Sequence, residues 1–256
     1  MADAESALRV AVAGANGKTG KVVAQALAED PALELVGRLV RTGARPAKGE
    51  YSDVRHLAKT SPAVLVDFTV FPDSKAIALQ AIAAGIRPVI GTSGYQAEDV
   101  EELRTACRRA NVGGVFAPNF SIGAVLMMQF AQTAARYFES AEIIESHHEA
   151  KKDAPSGTAS ATAQRMASVR PFGRSEGAPQ EAAVAARGLD VNGIHIHSVR
   201  MPGVIAEQEV RLANESETLV IRHRATSRRA FVDGVLKAVH AAPKLRHLVV
   251  GLEQLL

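Results

Sequence analysis

Along the first half of the chain, short runs of β-branched and other apolar residues alternate with longer stretches whose apolar positions recur at helical spacing. The short runs predict strands at Leu8 to Ala13, Leu33 to Val40, Val64 to Phe68, Pro88 to Ile90 and Gly114 to Phe116. The stretches between them predict helices at Lys18 to Glu29, Asp73 to Ala84 and Ala97 to Ala110. Such alternation is the pattern of parallel βαβ units, in which helices cover both faces of one sheet. Small and polar residues follow the strands, in Thr69, in GTSG from Gly91 to Gly94 and in APNFS from Ala117 to Ser121. Ligands of an open parallel sheet collect at those carboxyl ends.

After Ser121 the pattern changes. SIGAVLMMQFAQTAARYFE predicts one long apolar helix whose Met and Phe side chains belong to a core. A strand ending near His147 follows, then a helix opening near Ser156, an irregular stretch from Pro171 to Gly193, and strands at Ile194 to Arg200, Glu207 to Leu212 and Thr218 to Arg224. Three strands with hairpin-length connections after one earlier strand predict a mixed or antiparallel sheet, and so a second domain of α+β type. The amphipathic segment Ala230 to Ala241 is expected to return to the first domain.

Composition fits two modest domains: the chain has 256 residues and is 47% hydrophobic. Its single cysteine, Cys107, excludes an intramolecular disulfide and sits in the helical run EELRTACRRA, where ordinary packing is the simpler role. No run approaches the roughly 20 apolar residues of a membrane span, and the opening MADAESA lacks the basic and apolar regions of a secretory signal, so a cytoplasmic setting is expected. The formal charge of +3 comes from basic residues spread along the chain, and aromatics make up only 4%. That argues for small anionic ligands rather than nucleic acid. His195 and His197 stand two apart on one strand face, a spacing a metal can use, but no third ligand is near them in sequence. No metal is expected; a polar strand face near substrate or a subunit contact is the simpler reading.

The glycines Gly14, Gly17 and Gly20, in GANGKTG, directly follow a predicted strand and open a predicted helix. Glycine there allows a tight turn and close backbone approach to a pyrophosphate lying on the helix N-terminus. The spacing is GxxGxxG rather than GxGxxG, yet strand, glycines, helix and second strand come in the order a dinucleotide site requires. The second strand ends LVRTGAR, with Val40 and Arg41 where NAD-preferring folds place a carboxylate. Nothing there repels a 2′-phosphate, and Arg41, with Lys18 and Arg45, can pair with one, so NADPH is favoured and NADH remains possible.

The densest set of chemical side chains is ESHHEAKKDAPSGTA, from Glu145 to Ala159. A hydride that adds to a polarised C=C or C=N bond leaves electron density to be protonated, so a proton donor and a fixed cation belong nearby. His147, His148 and Lys151 are the candidates. Adjacent histidines at a strand end face opposite ways, so at most one of the pair is expected to point at a given ligand. Ser156, Gly157 and Thr158 precede a helical run, where hydroxyls and first-turn amides form a carboxylate cradle. A non-catalytic NADP sensor and a different imine or amino-acid dehydrogenase remain open on these residues alone.

The same segment resembles the signature ExHHxxKxDAPSGTA of the dihydrodipicolinate reductase family, unbroken from Glu145 to Ala159. The resemblance runs through GANGKTG, DFT at Asp67 to Thr69, GTSG, APNFSIG at Ala117 to Gly123 and GIHIHSVRMPG at Gly193 to Gly203. It implies a Rossmann-type doubly wound parallel sheet from residues 1–119 and 227–256, which binds dinucleotide, and an α+β domain at 120–226 on a mixed or antiparallel sheet, which binds substrate and oligomerises. Carried over, the cofactor residues are Gly14, Asn16, Gly17, Lys18, Thr19, Gly20 and Arg41, with Phe68, Thr69, Gly91, Thr92, Ser93, Ala117, Asn119 and Phe120 near the nicotinamide. His148, Lys151, Ser156, Gly157 and Thr158 are then expected to hold the carboxylates of a cyclic imine, with His147 as general acid and Lys151 the catalytic cation. The implied reaction makes tetrahydrodipicolinate, with hydride going to ring carbon four; the implied assembly is a homotetramer joined through middle-domain sheets. In two places the chain departs from the pattern. AEQEV at Ala206 to Val210 stands where the family commonly has a small residue and His, and the acidic residue many members carry near Val40 is absent.

Overall fold

The structure, a computed structural model, describes residues 7–41, 43, 45–173 and 186–256. The chain divides into two compact units, one running to Ile122 and resuming at Phe231, the other Gly123–Ala230.

Seven strands form the sheet of the first unit: β1 (Leu8–Ala13), β2 (Leu33–Leu39), β3 (Glu50–Tyr51), β4 (Val64–Asp67), β5 (Arg87–Ile90), β6 (Gly114–Phe116) and, last in the chain, β12 (Leu248–Val250). Their spatial order is β12-β6-β5-β4-β1-β2-β3, and every pairing is parallel. β1 lies between β2 and β4, so its Val10 to Ala13 are all buried, the unbroken apolar run that a two-sided parallel strand requires. At β1 the strand order reverses direction, which opens a crevice at the carboxyl ends.

Among the described residues five α-helices accompany this sheet: α1 (Lys18–Glu29), α2 (Val54–Ala58), α3 (Asp73–Ala83), α4 (Ala97–Ala110) and α7 (Val232–Ala241). Leu57 of α2 and Ala81 of α3 pack with Ala11, Ala13 and Leu65 of the sheet, while Leu103 and Cys107 of α4 pack with Ile90, Phe116 and Leu248. Cys107 is thus a core residue, and burial pushes its thiol up to about 11. α7 packs against α1 and so belongs to the first unit, as its amphipathic pattern predicts. β3, α2 and β12 were not predicted, being five residues or fewer and too short to show a period.

The second unit holds a five-stranded sheet of β7 (Ser140–His147), β8 (Leu189–Val191), β9 (Ile194–Arg200), β10 (Ala206–Ala213) and β11 (Thr218–Ala225). The order is β11-β10-β7-β9-β8, with β7 and β9 parallel and the other pairs antiparallel. The expected mixed sheet is present, but β9 and β10 do not form a hairpin: β7 lies between them. β8 lies in a stretch read as irregular. One sheet face buries Ala141, Ile143, Ile194, Ile196, Val210 and Leu212 against α5 (Ile122–Ala134) and α6 (Gly157–Ala167), through Met127, Met128, Ala131, Ala159, Ala163 and Met166.

α5 stops at Ala134, short of the predicted end at Glu139. Asn214, in the β10–β11 turn, takes the backbone instead: its Oδ1 accepts from Glu139 N at 2.9 Å and its Nδ2 donates to Tyr137 O at 3.0 Å. Among the described residues no helix is long and apolar enough to cross a membrane.

Candidate active site

In the first unit the glycine loop is shaped by backbone crowding. Gly14 has φ +78°, and a Cβ on it would stand 2.6 Å from the Phe68 carbonyl oxygen. A Cβ on Gly20 would fall onto the Gly14 carbonyl. Gly17 N donates to Gly14 O at 2.9 Å and serves as the N-cap of α1 without a capping side chain. The first-turn amides of α1, from Lys18 to Gly20, therefore open onto the loop with no side chain laid across them, the arrangement that receives a pyrophosphate. Asn16, Gly17 and Lys18 are exposed and Thr19 is half-buried. Gly14 N also donates to Leu39 O at 3.3 Å, which ties the loop to the end of β2, two residues before the exposed Arg41. Arg45 is exposed as well.

The ends of β4, β5 and β6 bring the other predicted cofactor residues to the same edge of the sheet. Asp67 is buried; its Oδ1 accepts from Thr69 N (2.8 Å) and Thr69 Oγ1 (2.6 Å), and its Oδ2 from Ser74 Oγ. Burial pushes its carboxyl above the ordinary range, and these hydrogen bonds offset that only in part. Phe68 stands over Gly91, where a side chain would collide with its ring, and meets Phe120 at 5.9 Å between ring centroids. The buried Thr92 donates to Thr69 O at 3.2 Å, Ser93 is exposed, Ala117 N donates to Ile90 O at 3.0 Å, and Asn119 Oδ1 accepts from Ser121 N at 2.9 Å. Asp67 was not among the predicted site residues, yet it braces this loop.

In the second unit the site gathers where β7 and β9 end and α6 begins. Glu145 and His147 are two apart on β7 and share a face. Glu145 is completely buried. Its Oε2 meets His147 Nδ1 at 2.5 Å and accepts from Arg200 Nη1 at 2.9 Å; its Oε1 accepts from Arg200 Nη2 at 2.8 Å and from Ser156 N at 3.2 Å. Burial alone would raise this carboxyl, but hydrogen bonds from His147, Arg200 and Ser198 outweigh it and hold it at about 2. Arg200 also donates to Asp153 O at 2.7 Å.

His148, next in the chain and half-buried, accepts from Lys151 N at 3.0 Å through its backbone carbonyl. The Lys151 ammonium contacts both oxygens of Asp153, at 2.9 and 2.7 Å. Ser156 is the N-cap of α6, its Oγ accepting from Ala159 N at 3.1 Å. Gly157 opens the helix beside unfilled space, with nothing within 4 Å of where its Cβ would be. Thr158 O accepts from Thr162 Oγ1 at 2.7 Å, and Thr162 accepts in turn from the buried Gln208 at 2.9 Å. Gln208, in the departing AEQEV run, therefore supports the first turn of α6. Glu207, in the same run, pairs with Arg222 and Arg224 on β11.

Sequence reasoning missed Glu145 and Arg200 as site residues. The Glu-x-His spacing was a legible signal for the first, since a strand places alternate residues together. Arg200 had none, because only the β7–β9 register makes it the neighbour of His147. His197 contacts Glu142 at 3.0 Å, and among the described residues no three metal-ligating side chains come together.

Comparison with known proteins adds a family to this geometry. A family model described as dihydrodipicolinate reductase, N-terminus, matches residues 8–120, and one described as dihydrodipicolinate reductase, C-terminus, matches 123–256. The chain is 44% identical over 256 residues to a 4-hydroxy-tetrahydrodipicolinate reductase of Streptococcus gordonii, covering 97% of this chain and 99% of the relative. To its counterpart in Bacillus velezensis it is 40% identical over 262 residues, covering 97% and 98%. A solved dipicolinate-bound dihydrodipicolinate reductase from a Paenisporosarcina species superposes with TM-score 0.85 at 35% identity, covering 98% of this chain and all (100%) of that one. An amine dehydrogenase from Mycobacterium smegmatis, at 12% identity and TM-score 0.66 over 97% and 96% of the two chains, shares the fold.

Proposed function

The chain belongs to the dihydrodipicolinate reductase family, and from that premise we propose that it reduces the cyclic imine dihydrodipicolinate, or its hydrated form 4-hydroxy-tetrahydrodipicolinate, to tetrahydrodipicolinate in the diaminopimelate route to lysine. The observation that carries the reading is the His147 ring held by a buried carboxylate beside the capped start of α6.

The glycine loop fits a dinucleotide, because the space that Cβ atoms on Gly14 and Gly20 would fill is taken by backbone and α1 opens uncovered onto the loop. Gly14 to Gly20 hold the pyrophosphate, and Phe68, Thr69, Gly91 to Ser93, Ala117, Asn119 and Phe120 flank the nicotinamide. Arg41 and Lys18, both exposed and free of a competing carboxylate at Val40, favour the 2′-phosphate of NADPH over NADH. When bound, the nucleotide supplies a hydride to ring carbon four.

The residues of the second unit do the rest. Gly157, Thr158 and the Ser156 hydroxyl receive one ring carboxylate at the positive end of α6, and His148 and Lys151 receive the other. Lys151 exchanges its contact with Asp153 for the substrate, a modest cost because Asp153 is largely exposed. The hydrated form first loses its ring hydroxyl as water to give the conjugated imine, and His147 gives a proton to the electron pair that hydride addition then pushes into that imine. The protein works in the cytoplasm as a homotetramer joined through the second-unit sheets.

The test is a coupled assay with freshly made synthase product and each nucleotide. NADPH absorbance should fall only when both substrates are present, and faster than with NADH. No oxidation of either nucleotide would overturn the assignment.

A further inference from the structure

Glu145 is absent from the set of groups assigned to substrate, yet more of the site converges on it than on any of those. We propose that Glu145 is the positioning residue of the proton donor: it grips His147 through Nδ1, so that Nε2 is the nitrogen that carries and releases the proton. The proposal rests on the reading of His147 as general acid.

An ionised carboxylate can only accept hydrogen bonds. Glu145 is held at about 2, hence ionised wherever the protein is folded and active, so His147 Nδ1, 2.5 Å from Oε2, must bear a hydrogen. When the ring is doubly protonated, the proton it can lose without breaking this bond is the one on Nε2. When it has lost that proton, the ring remains the Nδ1–H tautomer, ready to be recharged at the same nitrogen. A ring without this partner would divide between two tautomers and turn about its own bond.

The grip is itself braced. Arg200, the register partner of His147 on β9, spans both Glu145 oxygens, at 2.9 and 2.8 Å, in the bidentate geometry that suits guanidinium. Oε1 also accepts from Ser156 N, the N-cap of α6, at 3.2 Å. One carboxylate therefore joins three elements: β7 with the proton donor, β9, and the helix whose first turn is the carboxylate cradle. The distance from donor to cradle is set through it, and a misplacement of about 1 Å between reacting groups is enough to cost on the order of a hundredfold in rate. Burying a charge this deeply is costly unless its lone pairs are used, and here the two oxygens meet His147, Ser156 N and both Arg200 Nη atoms, with Ser198 besides.

Two measurements test the proposal. The first uses the unmodified protein with 15N-labelled histidine, the His147 signal among eight histidines being identified by its loss in His147→Ala. The neutral ring should show hydrogen on Nδ1; hydrogen on Nε2 would overturn the proposal, whether or not any Glu145 variant folds. The second is a double-mutant cycle in the coupled assay. Glu145→Gln should lower kcat about 10- to 100-fold with the KM for nucleotide within about twofold, and should cost less than about threefold more in a His147→Ala background. Losses that multiply in the double variant, with His147→Ala itself slow, would overturn the positioning role alone. A His147→Ala enzyme as fast as the unmodified protein would overturn the general-acid reading and the proposal with it.

Discussion

The glycine loop of the first unit and the Glu145 to Thr158 segment of the second are built from opposite materials. The loop is backbone: its residues are chosen for what they lack, since a side chain at Gly14 or Gly20 would strike a carbonyl. The segment is side chains: a buried carboxylate, an imidazole and a guanidinium hold one another, and the helix start is added to them. A ligand that keeps its shape, such as a pyrophosphate, is served by fixed amides. A ligand whose charge changes during reaction needs groups that can give up a proton or balance one.

Substitutions should therefore divide by unit. The largest effect is expected from His147→Ala, with kcat down about 10²- to 10⁴-fold and nucleotide affinity unchanged in a fluorescence titration. Gly20→Ala, which forces a methyl onto the Gly14 carbonyl, should weaken NADPH binding about 10- to 100-fold in the same titration and lower the melting temperature. If either variant damaged both properties equally, the division of labour would be wrong. Arg41→Ala should reduce the NADPH-to-NADH ratio of kcat/KM about tenfold, the loss of one exposed charge-assisted contact.

Acid should separate the units most subtly. Glu145 is held at about 2, below its ordinary 4.5, so its stabilisation of the second unit is complete above about 4.5 and is lost as pH falls toward 2. Asp67, in the first unit, is shifted the other way by burial, so protonating it relieves a cost as pH falls. Hydrogen exchange between pH 5 and pH 3 should show the ends of β7 and α6 losing protection before the Asp67 to Ser74 loop. Simultaneous loss would break the contrast.

The same contrast explains what could be read in advance. GANGKTG was legible because a backbone requirement stamps the residue type, and β1 because a strand covered on both sides carries an unbroken apolar run, here Val10 to Ala13. Ser156 as the cap of α6 was legible from local chemistry alone. Arg200 was not, since it lies 55 residues from Glu145 and meets it only through the parallel pairing of β7 and β9. That pairing defeated the hairpin expectation as well, because chain proximity favoured β9 beside β10 while β7 took the place between them. The end of α5 was hidden for the same reason, being set by Asn214 some 75 residues away.

The most direct test is a crossed titration with two ligands on two variants: the Kd of NADPH alone, and the KM of the synthase product at saturating NADPH, for Gly20→Ala and for Lys151→Ala. Gly20→Ala should raise only the first and Lys151→Ala only the second, each by about tenfold or more. Parallel weakening of both ligands by either substitution would contradict that division of labour.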